Sequence, residues 1–307
     1  MPMEGHCDFC GCLADQDCSC GIRAAFLSKQ TGWVRLARHN TFRPDAISIW
    51  AYASLAALSV PMLILLFYGL VVYRSPLGFS LTVLQSIALT LFASAAAATL
   101  VFLLFTPAAY HLSRRSNDVL ETAADLPASI PHPIVGISLL LLDSRTTPVG
   151  SFLQSIGVNF FYSVQGLIIA LVVVSAPIYI RAAQSLFAAR SQDSELFAAS
   201  LGASRLRILY SVIVPSSARD LLSATLTSMG RAMSEFGSVA IIAYFVLQPP
   251  FSGVRPASVL VYEYFGYYGT AVAVSASSFM VLFSVALMVA VRLVRRRSRI
   301  RSTVAGD

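Results

Sequence analysis

Residues Ala46 to Tyr73 read AISIWAYASLAALSVPMLILLFYGLVVY, and no Asp, Glu, Lys or Arg interrupts them. A helix needs about 20 predominantly apolar residues to cross the hydrocarbon core of a bilayer. This run exceeds that length and is too long for the apolar core of a secretory signal peptide, which has about 7 to 15 residues. The stretch therefore predicts a membrane-spanning helix that anchors the chain.

Apolar stretches recur along the rest of the chain, which is 56% hydrophobic and only 12% charged, whereas a soluble domain has about 25% charged residues. They are Leu77–Ser113, Leu126–Leu142 with Pro131 and Pro133 inside it, part of Thr146–Ile180, about Leu221–Leu247, and Tyr264–Val291. Runs of this length suit helices, which satisfy their own backbone groups in lipid, better than the short alternating strands of a barrel. We expect an all-α polytopic membrane protein, with six transmembrane helices in a domain that spans residues 46–294.

Basic residues are concentrated in segments that would share one side of a six-helix protein. They are Arg23, Lys29, Arg35, Arg38 and Arg43 before the first helix, Arg114 and Arg115 after the second, Arg181, Arg190, Arg205, Arg207 and Arg219 after the fourth, and the arginines from Arg292 to Arg301. The opposite loops contain Arg74, Arg145 and Arg255. Because basic loops stay on the cytoplasmic side, both termini are predicted to be cytoplasmic in a plasma or inner membrane, and residues 295–307 form a basic tail. The net charge of +7 then reflects topology and attraction to membrane lipid, and no nucleic-acid partner is expected.

The N-terminal tail, residues 1–45, contains all five cysteines of the chain. The cysteines are Cys7, Cys10, Cys12, Cys18 and Cys20. Thiolates at such short spacing can converge on a zinc ion or an iron–sulfur cluster. The alternatives are a solvated tail without fixed structure and a start codon assigned too far upstream. A cytoplasmic location disfavours disulfides, so the pattern gives a metal-site hypothesis and no bridge.

An alanine-rich loop, about Arg181–Asp220, follows the fourth predicted helix. Alanine favours helix, Gly202 interrupts the helical pattern, and Pro215 suits the first turn of the next helix. We expect a helix, a glycine turn and a second helix, which together make a compact protrusion.

This loop resembles the EAA loop of permease subunits of binding-protein-dependent ABC importers, whose pattern is EAA, three residues, Gly, nine residues, then IxLP. Gly202 is followed after nine residues by VIVP, which ends at Pro215, whereas the acidic position falls on Leu196 and Glu195 lies one residue off. The resemblance implies a coupling loop, at about residues 190–215, that docks into a cytoplasmic ATPase through Glu195 to Arg207. Its candidate residues are Glu195, Ala198, Ala199, Gly202, Ala203, Ser204, Arg205 and Pro215.

Two more stretches resemble the molybdate, tungstate and sulfate group of these permeases, and most closely its archaeal-type tungstate/molybdate branch. Gly230–Phe245, GRAMSEFGSVAIIAYF, is similar to the group's A-x-G/S-E-F-G-A segment, and Leu126–Leu142 is similar to its proline-rich segment. The resemblance implies the type I importer (MetI-like) fold, a homodimer, an external oxyanion-binding protein, and ATP with Mg²⁺ on a separate ATPase dimer. It therefore implies a tetrahedral oxyanion, molybdate or tungstate and also sulfate, as the transported solute.

Charged residues inside the fifth predicted helix form the candidate translocation path. Arg231 and Glu235 are four residues apart, so they can pair on one helix face; rescue by a charge-swap double mutant would support the pair, and failure of rescue would count against it. The candidate path and gate residues are Arg231, Ser234, Glu235, Gly237 and Ser238. The pair either holds a gate or fixes helix packing, because a buried charge in a membrane needs a partner. His132, between Pro131 and Pro133, is expected to be structural.

Motifs of several enzyme classes are absent from the sequence. It contains no HExxH, no GxSxG and no GxxxxGK[ST] phosphate loop. We therefore expect a transport subunit without a cofactor or an ATPase site of its own. A permease for another small solute, an ion-coupled secondary transporter and a membrane-embedded enzyme are the alternatives, and the absence of a clear internal repeat speaks against the second.

Overall fold

The computed structural model describes residues 46–304, with side chains up to residue 286 and at Val289. The chain divides into two units, Met1–Met62 and Leu63–Asp307. Every regular element in the described part is helical, as the sequence predicts. The cysteines of the N-terminal tail, and with them the metal-site hypothesis, lie outside the described residues.

Twelve α-helices make up the described part of the chain. They are α1 Ala46–Phe67, α2 Leu81–Arg114, α3 Asp118–Ser129, α4 His132–Leu142, α5 Pro148–Ser155, α6 Val164–Ala188, α7 Asp193–Ser200, α8 Arg205–Ile208, α9 Val214–Met233, α10 Gly237–Ile242, α11 Ala257–Tyr268 and α12 Thr270–Val304. Short π-helical segments, Tyr68–Val72 and Leu209–Ile213, and a 3-10 turn, Pro76–Phe79, complete the described helical structure. Helix α12 continues past the predicted domain boundary after residue 294.

Three of these helices are long and apolar enough to cross a membrane: α1 with the π-helical segment that follows it, α2, and α6. Helices α3 and α4 meet the same criterion only when taken together. They would then form a fourth span that is broken by a bend of 105°. The apolar part of α12, Thr270–Ala286, is shorter. Three of the six predicted spans are thus present as long apolar helices, and the predicted count of six is not confirmed.

Three of the predicted spans are broken where the sequence suggested one helix. The stretch Leu126–Leu142 bends between Ser129 and His132, at the proline pair. The predicted fifth helix, Leu221–Leu247, was wrong as a single helix, because α9 ends at Met233 and α10 begins at Gly237. The sixth is divided at Gly269, whose φ of +79° suits glycine but strains other residues.

Helices α2 and α6 pack side by side, and α9 packs against both. Buried alanines such as Ala93, Ala97 and Ala170 line the contact between α2 and α6, and small residues let helix backbones approach closely in a membrane protein. Nearer the C-terminal ends of α2 and α6, Thr106 Oγ1 and Tyr179 Oη form a hydrogen bond of 2.6 Å between the two helices. These three helices form the scaffold that positions both candidate sites.

The short helices α4 and α10 approach each other through two glycines. A Cβ on Gly136 would lie 2.7 Å from the carbonyl oxygen of Ser238, and a Cβ on Gly237 would lie 2.9 Å from Cδ of Pro133. Real Cβ contacts are not this short, so both positions require glycine. This contact brings the two helix breaks, after α3 and after α9, to one place.

Candidate functional site

The loop between α6 and α9 has the predicted helix, glycine turn and second helix. Helix α7 ends in a glycine cap, in which the N–H of Gly202 donates to the carbonyl of Ala199 at 2.9 Å and the N–H of Ala203 donates to that of Ala198 at 3.1 Å. Gly202 has a φ of +80°. Ser204 then caps α8, because its hydroxyl accepts the N–H of Arg207 at 3.4 Å.

The loop has a packed inner face and an exposed apolar outer face. Ala198 and Ala203 pack against the core that contains α2 and α6, while Ala199 and Arg205 are exposed. The most exposed large apolar residues of this face are Leu196 (64%), Phe197 (69%), Leu201 (74%) and Leu206 (64%), which we call the loop patch. An apolar patch beside a charged loop marks a protein interaction surface.

Glu195 is buried on the inner face and anchors the loop to α2. Tyr110 donates its hydroxyl hydrogen to Oε2 of Glu195 at 2.7 Å, and Nε of Arg114 lies 3.2 Å from both carboxylate oxygens. Nη1 of Arg114 also donates to the carbonyl of Phe187, near the end of α6, at 2.8 Å. One arginine thus fastens the ends of α2 and α6 to α7, so Glu195 is turned away from the loop patch.

Two opposing effects act on the pKa of Glu195. Burial of the carboxyl raises it, but hydrogen bonds from Arg114 and Tyr110 and the charge of Arg114 lower it more, so the net pKa falls below its usual range. The carboxylate is therefore charged at neutral pH. Its contribution to stability is present above the pKa of the unfolded chain and is lost as the pH falls through the depressed folded value.

The start of the loop is also bonded to α9, through Arg190. Pro215 lies in the first turn of α9, as predicted, directly after the π-helical segment Leu209–Ile213. Nη2 of Arg190 donates to the carbonyl of Ser216 at 2.9 Å, and Asp220 lies 3.5 Å from the same nitrogen. The protrusion is thus held to the scaffold at both of its ends.

The second candidate site lies where α9 gives way to α10. Glu235 is in the break between these helices, and its Oε1 accepts the N–H of Ser238 at 2.9 Å and the hydroxyl of Ser238 at 3.0 Å. The carboxylate therefore caps α10 through a local contact with the residue three positions on. A helix ends readily here because Ser234 and Gly237 are poor helix formers.

Arg231 and Glu235 are paired, as predicted, although not on one continuous helix. Nη2 of Arg231 lies 3.1 Å from Oε2 of Glu235. The same nitrogen lies 2.7 Å from Nε2 of His132, the first residue of α4, and Nη1 lies 3.4 Å from the hydroxyl of Ser234. We call His132, Arg231, Ser234, Glu235 and Ser238 the junction cluster. Sequence reasoning placed His132 outside the site, and only its position between two prolines, which break a helix, pointed to this break.

Other serines near the pair have structural contacts. The hydroxyl of Ser228 donates to the carbonyl of Ser175 on α6 at 3.1 Å, so it faces away from the junction cluster. Ser258, which was not among the predicted residues, donates its hydroxyl hydrogen to the carbonyl of Glu235 at 2.8 Å and attaches α11 to the break.

Metal ligands do not come together in the part of the chain that the structure describes. No group of three or more His, Cys, Asp or Glu side chains between residues 46 and 304 is arranged to hold a metal ion. The two arrangements that remain are an anchored loop with an apolar outer face and a charged cluster at paired helix breaks. They are the parts expected of a polytopic membrane permease subunit.

Comparison with known proteins agrees with this class. Residues 102–300 match the family described as binding-protein-dependent transport system inner membrane component, and the chain belongs to that family. The chain is a transport subunit of an ABC importer, as predicted, and not an enzyme. The family also confirms the predicted permease fold.

Several relatives carry more specific names. The chain is 32% identical over 220 residues to the molybdate/tungstate transport system permease protein WtpB of Thermococcus kodakarensis, a match that covers 70% of this chain and 81% of the relative. It is 34% identical over 180 residues to WtpB of Pyrococcus abyssi, covering 57% and 64%. It is 29% identical over 181 residues to the sulfate transport system permease protein CysT of Synechocystis, covering 59% and 62%.

A solved structure also resembles the chain. It is the inward-facing MetNI methionine ABC transporter, with a TM-score of 0.47, 18% sequence identity, and coverage of 77% of this chain and 95% of the other.

Proposed function

We propose that this chain forms the path by which an ABC importer moves a tetrahedral oxyanion, molybdate or tungstate, across the cell membrane. The observation that carries the proposal is the match to WtpB, which covers 81% of that relative. Sulfate is the related candidate, because a sulfate permease also matches. The sequence segment with Glu235 and Gly237 resembles the same group of permeases.

The loop patch is the proposed contact with the ATPase. Its four apolar side chains, Leu196, Phe197, Leu201 and Leu206, are exposed on a protrusion that is fixed at both ends. A movement imposed on this protrusion reaches α2 and α6 through Glu195 and Arg114, so the helices move as a rigid body. ATP and Mg²⁺ bind to the separate ATPase dimer in this proposal.

The remaining partners follow from the same proposal. Two copies of the chain form a homodimer with the path between them, and an external binding protein delivers the anion. Both termini are cytoplasmic, because the basic segments and the coupling loop then share the side of the ATPase. Metal binding by the cysteines of the tail, Cys7 to Cys20, stays a prediction.

The experiment that tests this function measures ATP hydrolysis by the reconstituted complex. Proteoliposomes contain this chain, its ATPase and its binding protein, and they receive tungstate, molybdate, sulfate or phosphate. We expect tungstate or molybdate to stimulate hydrolysis at the lowest concentration. Stimulation by a different small solute, with no response to any of the four anions, would leave a permease but reject the oxyanion.

A variant of the loop patch tests the coupling. Phe197→Ser removes an exposed aromatic side chain, so we expect little change in folding but loss of ATPase co-purification. The matched control is Asp193→Ala, an exposed residue on the same helix outside the loop patch. An ion-coupled carrier or an enzyme would retain no ATPase in any variant, including the unchanged chain.

A further inference from the structure

Arg114, Arg181 and Arg231, three arginines on the long helices, differ in the number of carboxylates with which they pair. The partners are Glu195 for Arg114, Glu121 and Asp125 for Arg181, and Glu235 for Arg231. At Arg231 a second basic side chain, His132, shares the single carboxylate. Of these three clusters, the junction cluster is the one in which an arginine and a histidine share one carboxylate.

The basic and acidic groups of the junction cluster differ in exposure. The side chains of Arg231 and His132 are 24% and 33% exposed, whereas that of Glu235 is 2% exposed. The hydroxyl-bearing residue Ser234 is exposed as well. A solute that reaches the cluster therefore meets its basic side first, while the carboxylate is buried behind it.

The two oxygens of Glu235 have separate partners. Oε1 accepts both hydrogen bonds from Ser238 and stays satisfied as the cap of α10. Oε2 faces Arg231 at 3.1 Å and Nδ1 of His132 at 4.0 Å. Arg231 can thus turn to another acceptor while Glu235 keeps its bonds to Ser238.

The donors of the exposed side match an anion that has only acceptors. A guanidinium has five N–H donors and no acceptor, and Nη2 of Arg231 lies 2.7 Å from Nε2 and 3.4 Å from Nδ1 of His132. Arg231 retains donors beyond those given to Glu235 and His132, and a guanidinium binds two oxygens of one oxyanion side by side.

We propose that Arg231 and His132 bind the transported oxyanion inside the permease, and that Glu235 is the built-in carboxylate that pairs with Arg231 when the anion is absent. This inference rests on the proposed function, since it assigns an anion contact within the proposed path. The ligand class is a tetrahedral oxyanion with two negative charges. The accessible side disfavours a cation, because Arg231 carries a permanent positive charge there.

The first test separates anion binding from a structural ion pair. In proteoliposomes with the ATPase and the binding protein, Arg231→Gln is expected to lower uptake of labelled molybdate about tenfold or more, since a charged hydrogen bond to the anion is lost. ATP hydrolysis stimulated by the loaded binding protein is expected to persist, because the loop and its anchor are intact. A parallel loss of uptake and hydrolysis, or uptake within twofold of the unchanged protein, would overturn the inference.

The second test uses the competing carboxylate. Labelled molybdate is bound directly to the purified permease–ATPase complex without the binding protein. Glu235→Gln keeps an acceptor for Ser238 but removes the negative charge, so binding should increase severalfold, whereas Arg231→Gln should decrease it about tenfold. Arg74→Gln, which removes an exposed charge elsewhere, is the control and should leave binding within twofold.

The results that would reject the anion contact differ from those that would reject the proposed function. Weaker molybdate binding by Glu235→Gln would overturn the inference even if Arg231→Gln did not assemble. Failure of the unchanged complex to take up molybdate, tungstate or sulfate would reject the proposed function itself. Normal uptake by the unchanged complex together with normal uptake by Arg231→Gln would reject only the anion contact.

Discussion

The coupling loop and the junction cluster both contain an arginine paired with a glutamate, but the two pairs are arranged in opposite ways. In the loop, Arg114 and Glu195 are similarly buried, with 14% and 11% of their side chains exposed. In the junction cluster, Glu235 is buried and Arg231 is partly open. The first arrangement fixes one element to another, while the second leaves a cation available. The same pair of residue types thus suits an anchor in one place and an exchangeable contact in the other.

The largest effect is expected from breaking the anchor. Glu195→Ala leaves Arg114 without its carboxylate and should destabilise the protein by about 3 kcal/mol, because removing one partner strands a buried charge. Thermal unfolding of the purified protein measures this, and Asp193→Ala, an exposed acid on the same helix, is expected to change stability by less than about 0.5 kcal/mol. Equal behaviour of the two variants would show that Glu195 is no anchor.

A smaller effect is expected from separating α4 and α10, which hold the junction cluster together. Gly136→Ala places a Cβ 2.7 Å from the carbonyl oxygen of Ser238 and should cost about 2 kcal/mol of stability, since backbone must move. Gly230→Ala on α9 meets no atom within 4 Å and should stabilise the helix by up to about 1 kcal/mol. Thermal unfolding of both variants measures these changes in stability. If Gly136→Ala and Gly230→Ala changed stability in the same direction, the contact between α4 and α10 would not explain the effect of Gly136→Ala.

For the Arg231–Glu235 pair, stability is expected to depend more on the hydrogen-bond acceptor that residue 235 offers to Ser238 than on which of the two positions carries the positive charge. Glu235→Ala removes the cap of α10 and should cost about 1 kcal/mol more than Glu235→Gln, which keeps an acceptor for Ser238. The charge swap of Arg231 and Glu235, the test of pairing that the sequence suggested, should fail for a different reason, because an arginine at 235 has no acceptor for the N–H of Ser238. Rescue by the swap in an unfolding assay would contradict the cap.

The smallest effect is expected at the glycine turn of the loop. Gly202→Ala places a side chain at a φ of +80° and should cost about 1 kcal/mol. A Cβ at this position meets no atom within 4 Å, so the cost of a side chain within the turn is the backbone strain. Gly202→Ala and Gly202→Trp should therefore unfold alike, and only the second should lose stimulated ATP hydrolysis. Loss of hydrolysis in both would assign the effect to strain alone.

Local patterns predicted much of this molecule. Composition and uncharged runs gave the helical membrane class, and Gly202 with Pro215 gave the form of the loop. The poor helix formers Ser234 and Gly237 were the local signal for the break in the fifth helix, but its place in the fold depends on the contact of Gly237 with Pro133, which is distant in sequence. The role of His132 depends on a contact across 99 residues, which helix spacing does not encode. Local chemistry thus fixed the elements, while tertiary contacts fixed the junction.

The central claim, that this chain conducts an oxyanion when its loop is driven by an ATPase, is tested most directly by uptake of labelled molybdate and tungstate into proteoliposomes. The account predicts uptake that requires ATP, the ATPase and the binding protein, and that Phe197→Ser abolishes. Uptake that continues without ATP or without the ATPase, or that is unchanged in Phe197→Ser, would contradict it.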